Sequence, residues 1–208
     1  MSDTNSVRRV VLFVDAQNFY RGARRAFFNR AETPFRYGQF RPWQLGELLS
    51  ERDPGRTLVD VRLYTGRPDA YLQPTAYRAN VQQCSAWERA GCYVFTRPLR
   101  YPRSWPRNTD GQRPEEKGID VAMAIDIVRL ADRGAYDVAV ICSADTDLAP
   151  AVEDVIDTHP DVTVEVAGWR SERYRQRLSL RGRNLWCHWL TREDYERVRD
   201  DTDYRRAV

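Results

Sequence analysis

VVLFVDAQNF, residues 10–19, sets five apolar residues directly against an aspartate. A continuous apolar run of this length, rich in β-branched residues, reads as a strand buried on both faces. The period then changes. Phe19, Ala23, Ala26 and Phe27 recur at helical spacing, with Arg21, Arg24 and Arg25 off that face. Outward from this strand-helix unit the alternation repeats. LVDVRLYTG (58–66) is a second strand, and a helical pattern opens at Pro74 and runs through Ala90, with Gly91 where a C-cap would sit. CYVFTR (92–97) is a third strand. Residues 98–116 hold four prolines and a D-G turn signal, the marks of a loop or small hairpin. A helix follows over 118–132, then the strand YDVAVIC (136–142), a helix over 147–158 and the strand VTVEVAG (162–168). NLWCHWL (184–190) reads as a last strand before a polar terminal helix. Strands alternating with helices predict an α/β domain with a mostly parallel sheet and helices on both faces. The expected division is a tail over 1–7, one domain over 8–190, and a terminal helix and tail over 191–208.

The bulk numbers agree with a single core. The chain has 208 residues, 42% hydrophobic and 12% aromatic, which suits one domain better than two. Its longest apolar runs are about five residues, against roughly twenty needed to cross a bilayer, so no membrane partner is expected. The polar N-terminus and the interruption at Asp15 leave no secretory h-region. Cys84, Cys92, Cys142 and Cys187 lie far apart without a CxxC spacing, and His159 and His188 show no ligand spacing. These features predict reduced thiols in a cytoplasmic protein and give no support to zinc. No Gly-rich phosphate loop is present.

In open α/β sheets ligands bind beyond the carboxyl ends of the strands. Asp15 ends the first strand there. Asp145 and Asp147, in SADTD, follow the 136–142 strand, and Asp120 opens the helix after the proline-rich loop. Carboxylates gathered on one rim resist joint ionisation unless a cation offsets their charge. Mg²⁺ or Mn²⁺ suits such oxygen donors. Asp147 can also be read as a helix cap, as can Ser143 or Thr146. Asp15 has no local helix to cap on this reading. Asp126, six positions beyond Asp120, is turned about 120° from it and reads as structural.

DAQN (15–18), KGIDVAMAID (117–126) and SADTD (143–147), in this order and spacing, resemble the NYN domain of the LabA-like group, within the PIN-like nuclease superfamily. The resemblance covers roughly residues 8–170. It implies a Rossmann-like (PIN-like) sandwich and metal-dependent ribonuclease activity through Mg²⁺ or Mn²⁺. Carried over position by position, it implies metal ligands at Asp15, Asp120 and Asp145, with Asp147 nearby and Asn18, Lys117 and Ser143 in support. SAD stands where SGD is common and Leu148 where Phe is common; both departures leave the acids intact.

Lys117 is the only lysine; the other basic residues are all arginine. An ammonium approaches a crowded acidic rim as a compact point charge, which a planar guanidinium does not. The arginines are candidates for RNA contacts, with aromatics able to stack on unpaired bases. Arg97, Arg100, Arg103 and Arg107 combine with Tyr101 and Trp105 in the loop leading to Lys117. If 170–181 is helical, Arg170, Arg173, Arg177 and Arg181 form one basic stripe. The expected partner is RNA, single-stranded. Two other readings stand beside this one. The first is a catalytically inactive RNA-binding or protein-interaction module. The second is a haloacid-dehalogenase-like phosphatase, weakened because Gln17 occupies the place of its second aspartate. The sequence leaves open whether the chain forms a homo-oligomer.

Overall fold

The computed structural model describes residues 7–28, 33–103, 105–107 and 111–206. Residues 1–6 and 207–208 of the expected tails, and Asp110 of the turn signal, lie outside the described residues.

Strand β1 (Arg8–Asp15) lies inside a six-stranded sheet of order β3-β2-β1-β4-β5-β6. Its neighbours are β2 (Arg56–Arg67) and β4 (Val138–Cys142); β3 (Tyr93–Pro98) borders β2, and β5 (Thr163–Trp169) and β6 (Cys187–Leu190) complete the other side. Every adjacent pair is parallel. Val10, Leu12 and Val14 enter one core layer and Val11 and Phe13 the other, so the apolar run of β1 is continuous because both faces are covered.

The first layer is closed by α1 (Ala16–Phe27), α2 (Pro42–Ser50), α3 (Pro74–Arg89) and α6 (Arg192–Val198), through Phe19, Leu45, Leu49, Trp87 and Tyr195. The second is closed by α4 (Ile119–Asp132) and α5 (Ala149–Thr158), through Met123, Ile127, Val152 and Val155. Burying each such side chain contributes about 1.5–3 kcal/mol. The α/β sandwich expected from the alternation is the observed architecture, and the sheet is wholly rather than mostly parallel. Among the described residues no helix is long and apolar enough to cross a membrane.

The chain winds outward from β1 to β3 and then returns to β4 on the opposite side of β1. Connections after β1 and β4 therefore diverge, and a crevice opens between them at the carboxyl edge.

Two segments differ from the sequence expectation. α2 is not signalled by the strand-helix alternation and contains Gly46, a weak helix former. The glycine is there for packing: a Cβ on it would lie 2.8 Å from both methyls of Leu58. Residues 170–181 form no helix. Arg170 pairs with Arg175 and Leu180 with Arg183 in isolated antiparallel bridges. Leu178 and Leu180, two apart, are both buried in the second layer, which an extended chain permits and a helix does not. The expected basic stripe of Arg170, Arg173, Arg177 and Arg181 is thereby lost. The 98–116 segment is pinned by reciprocal backbone hydrogen bonds between Arg100 and Glu115, the base of a small hairpin.

Candidate active site

α1 begins at the residue after β1, with no intervening loop. Asp15 consequently serves as its N-cap, and Oδ1 accepts the Asn18 backbone N–H at 2.9 Å. The sequence offers no cap role for Asp15; the structure supplies one, because the strand passes straight into the helix. Its other oxygen has no hydrogen-bond partner among the described residues.

β4 ends at Cys142 and the chain turns through Ser143–Asp147. Ser143 is buried, with Oγ accepting the Asp145 N–H at 3.1 Å. The Ser143 carbonyl accepts the Leu178 N–H at 3.2 Å, holding the extended 175–179 segment beside this turn. Asp145, rather than Asp147, provides the cap: it accepts the Asp147 N–H at 3.0 Å and starts a single 3-10 turn over Thr146–Leu148. Asp147 itself is exposed. The two connections are joined by Asn18, whose Oδ1 accepts the Ala144 N–H at 3.2 Å.

The third approach comes from α4, whose N-cap Gly118 has φ 71 and lets the chain turn sharply into Ile119. Asp120 lies in the first turn. The Arg97 guanidinium lies against Gly118, where a Cβ would be 2.7 Å from Nη1. Lys117 is exposed beside it. Glu116, not singled out by sequence, is drawn inward: its Oε1 accepts the backbone N–H of Gly66 near the end of β2. The available signal was its place in EEKGID, four residues before Asp120 and beside the lone lysine.

Electrostatics link these groups. Burial, reinforced by the negative charges of Glu116 and Asp145, pushes the Asp15 carboxyl up to about 7, against the lowering influence of the Asn18 N–H and Arg21. Burial also raises Glu116, with Asp120 adding to it and the Gly66 N–H and Arg21 opposing. Asp145, Asp15, Glu116 and Asp120 thus form a coupled series, with Arg21 acting on its two central members.

Among the described residues no three acids, histidines or cysteines stand close enough together to hold a metal ion. Asp15, Asp120 and Asp145 share one rim without forming a ready-made cage. The donors suit a hard divalent cation in kind, being carboxylates with excess negative charge. Mg²⁺ commonly takes only one or two protein carboxylates and completes its shell with water and substrate phosphate.

The expected RNA contacts divide. Arg97, Arg100, Arg103 and Arg107 are exposed. Tyr101 supports the loop instead: its hydroxyl donates to Gln73 Oε1 at 2.9 Å and accepts the Asp69 N–H at 2.8 Å, and Trp105 packs on it at 6.0 Å between centroids. Arg170 and Arg173 are exposed, whereas Arg177 donates to the Leu185 carbonyl at 2.6 Å. Arg175, also not singled out by sequence, lies over the Trp189 ring at 4.6 Å and lines a shallow depression with Ala144. Asp126 is structural, accepting from Tyr64 at 2.8 Å and Arg62 at 3.1 Å.

The NYN domain family matches residues 9–178 of the chain. Among solved structures, a protein of unknown function from Vibrio parahaemolyticus is similar, with a TM-score of 0.52 and 20% identity over 81% of this chain and 84% of that one. At that identity the likeness concerns the fold. No curated protein matches the chain.

Proposed function

The chain belongs to the NYN domain family, a PIN-like nuclease superfamily domain, and on that premise we propose that it is a metal-dependent ribonuclease acting on unpaired RNA. The observation that carries the reading is the placement of Asp15, Glu116, Asp120 and Asp145 on connections at the carboxyl edge of the sheet, beside its switch point. Such a concentration of negative charge costs stability and is not explained by packing.

In this reading Asp15, Asp120 and Asp145 hold Mg²⁺ or Mn²⁺, with Glu116 beside Asp15. When bound, the ion supplies a water of lowered pKa and offsets charge on the phosphate. Asn18 and Ser143 fix the two connections that carry Asp15 and Asp145. Asp147, two positions after Asp145, is exposed and orients water at the rim. Lys117 and Arg97 present cations to the phosphate at the start of α4. The four free cysteines, three of them buried, suit a reducing compartment such as the cytoplasm.

Purified protein incubated with Mn²⁺ and a labelled unstructured RNA tests the reading. Cleavage abolished by EDTA and by Asp15→Asn or Asp145→Asn is expected. Equal cleavage by both variants would overturn the assigned site. The exposed Arg97, Arg100, Arg103 and Arg107 also suit one second reading, a non-catalytic RNA-binding module. It predicts RNA binding without turnover under every metal tried.

A further inference from the structure

A polyanion has to be brought against a rim that is itself negative, which demands cations close by. Beside the acids lies a cleft of about 590 Å³ between α1 and α3, floored by Thr65 and Gly66 of β2 and reaching Glu116. Its α1 wall carries Gln17, Arg21, Arg24 and Arg25, spaced so that one helical face presents them. Its α3 wall carries Ala76, Ala79, Asn80 and Gln83, which also share one helical face, with Trp87 one turn further on. Arg36, Arg113 and Arg205 add to the lining, while Glu116 and Asp203 are its acids. Arg24 is committed to the fold, donating to the carbonyls of Thr33, Pro34 and Tyr37, and so is Asn80, which donates to the Gly66 carbonyl at 3.3 Å and accepts from Arg67 at 3.4 Å. Arg21 and Arg25 are exposed on the same wall.

We propose that this α1–α3 cleft holds an unpaired stretch of the RNA strand adjoining the scissile phosphate, with Arg21 and Arg25 on its phosphates and Gln83 on its base edges or 2′-hydroxyls. The proposal rests on the ribonuclease reading and names the substrate's path. Arginine forks match phosphate oxygens, and carboxamides donate and accept at once, as base edges and ribose hydroxyls require. The small residues of α3 leave room for the strand. A volume of 590 Å³ is that of a small-molecule pocket, roughly 300–1,000 Å³. It matches a short unpaired segment. Leu99 of the first arginine-rich segment lines the cleft, but the arginines of that segment do not; the exposed cations of its α1 wall come from a helix whose outward face reads as ordinary solvated surface.

The test separates binding from turnover. Fluorescence anisotropy of a labelled unstructured octanucleotide is measured in EDTA with the full chain, its Arg25→Glu and Ala79→Glu variants, and Asp15→Asn. Neither cleft substitution touches the acids, and thermal melting verifies that each variant is folded. The wild type and Asp15→Asn should bind alike. Each cleft variant should bind about tenfold or more weakly, and Arg25→Glu should lower the slope of log affinity against log salt by about 0.7, the value for one phosphate contact on a single strand. A fully paired duplex of the same sequence should compete poorly. Wild-type affinity in both folded cleft variants overturns the proposal even if the enzyme cleaves RNA. Equal competition by duplex overturns it too, as does failure of the wild type to bind. Loss of binding in both variants upholds it even if no cleavage is ever seen, so the two readings fail separately.

Discussion

The Asn18 carboxamide oxygen accepts the backbone N–H of Ala144, 126 positions away, at 3.2 Å. Asn18 sits in the first turn of α1, one residue-triplet after Asp15; Ala144 immediately precedes Asp145. One neutral hydrogen bond thereby sets the separation of two carboxylate-bearing connections. Such a bond contributes about 1 kcal/mol to stability, but its positional effect is larger, since misplacing a catalytic group by about 1 Å can cost about 10²-fold. Asn18→Ala should therefore melt within a few degrees of wild type while cleaving RNA at least about tenfold more slowly. Hydrogen exchange at the Ala144 amide should quicken in parallel.

Asp15 makes stability depend on pH in the unusual direction for an acid. Its carboxyl titrates at about 7 in the fold, above the ordinary aspartate range, so the folded state binds the proton more tightly than the unfolded chain. Stability is full below the ordinary value near 4 and declines as pH rises through 7. Asp15→Asn retains the N-cap, since asparagine caps as well as aspartate. At pH 8 the variant should be more stable than wild type by roughly 4 kcal/mol, and at pH 4 the two should nearly coincide. Denaturant melts at both pH values measure this. Mn²⁺ should raise the wild-type melting temperature at pH 8, should do so less at pH 5.5 where protons compete, and should not stabilise the variant; removing the ion with EDTA should reverse the gain.

Gly66 and Glu116 are in close contact. A Cβ at Gly66 would lie 2.7 Å from Glu116 Cγ and 2.3 Å from Leu99 Cδ2. Both are movable side chains, so Gly66→Ala should displace them without unfolding the sheet. The Glu116 carboxylate then loses the Gly66 N–H and its place beside Asp15. Activity should drop sharply with a modest change in melting temperature. A Glu116→Gln variant should lower the Asp15 carboxyl titration followed by NMR, because one of the charges that raises it is gone.

A buried trio on the first core layer sets the acid limit of the fold. Glu165 accepts from Arg56 at 2.7 and 2.9 Å and lies 2.7 Å from His188 Nε2. Burial alone would raise the Glu165 carboxyl, but hydrogen bonds from His188 and Arg56 outweigh it and hold the group down at about 2. A depressed folded value means the contribution is complete above the ordinary glutamate range near 4.3 and is lost as pH falls towards 2. Glu165→Gln should cost roughly 3 kcal/mol at pH 7, as expected when one partner of a buried pair is removed. The deficit should shrink progressively below pH 4 in urea melts.

The strands are legible in the sequence because a strand buried on both faces needs an unbroken apolar run, and VVLFV and VAVIC are such runs. The rim positions of the acids are legible because Asp15 ends a strand, Asp145 lies in the short turn after one and Asp120 opens a helix. What is not legible depends on contacts across the fold. Glu116 has its place through the Gly66 N–H, a backbone donor from a strand fifty positions away. Asp15 becomes a cap only because α1 starts without a loop. The arginines of 170–181 keep helical spacing, but Leu178 and Leu180 are claimed by the second core layer, and tertiary burial overrides the local period.

The strand order has a consequence for a chain emerging residue by residue. Until β4 is made, β1 is the outermost strand of a three-stranded sheet, β3-β2-β1, with its ladder towards β4 unpaired. Domains fold as units, and bare sheet edges invite foreign partners until the unit is complete. That nascent intermediate carries Asp15 and Glu116 yet lacks Asp145, which follows β4. The strand that covers the open edge of β1 is thus the one that leads directly into Asp145, so sheet closure and completion of the acidic rim depend on the same element.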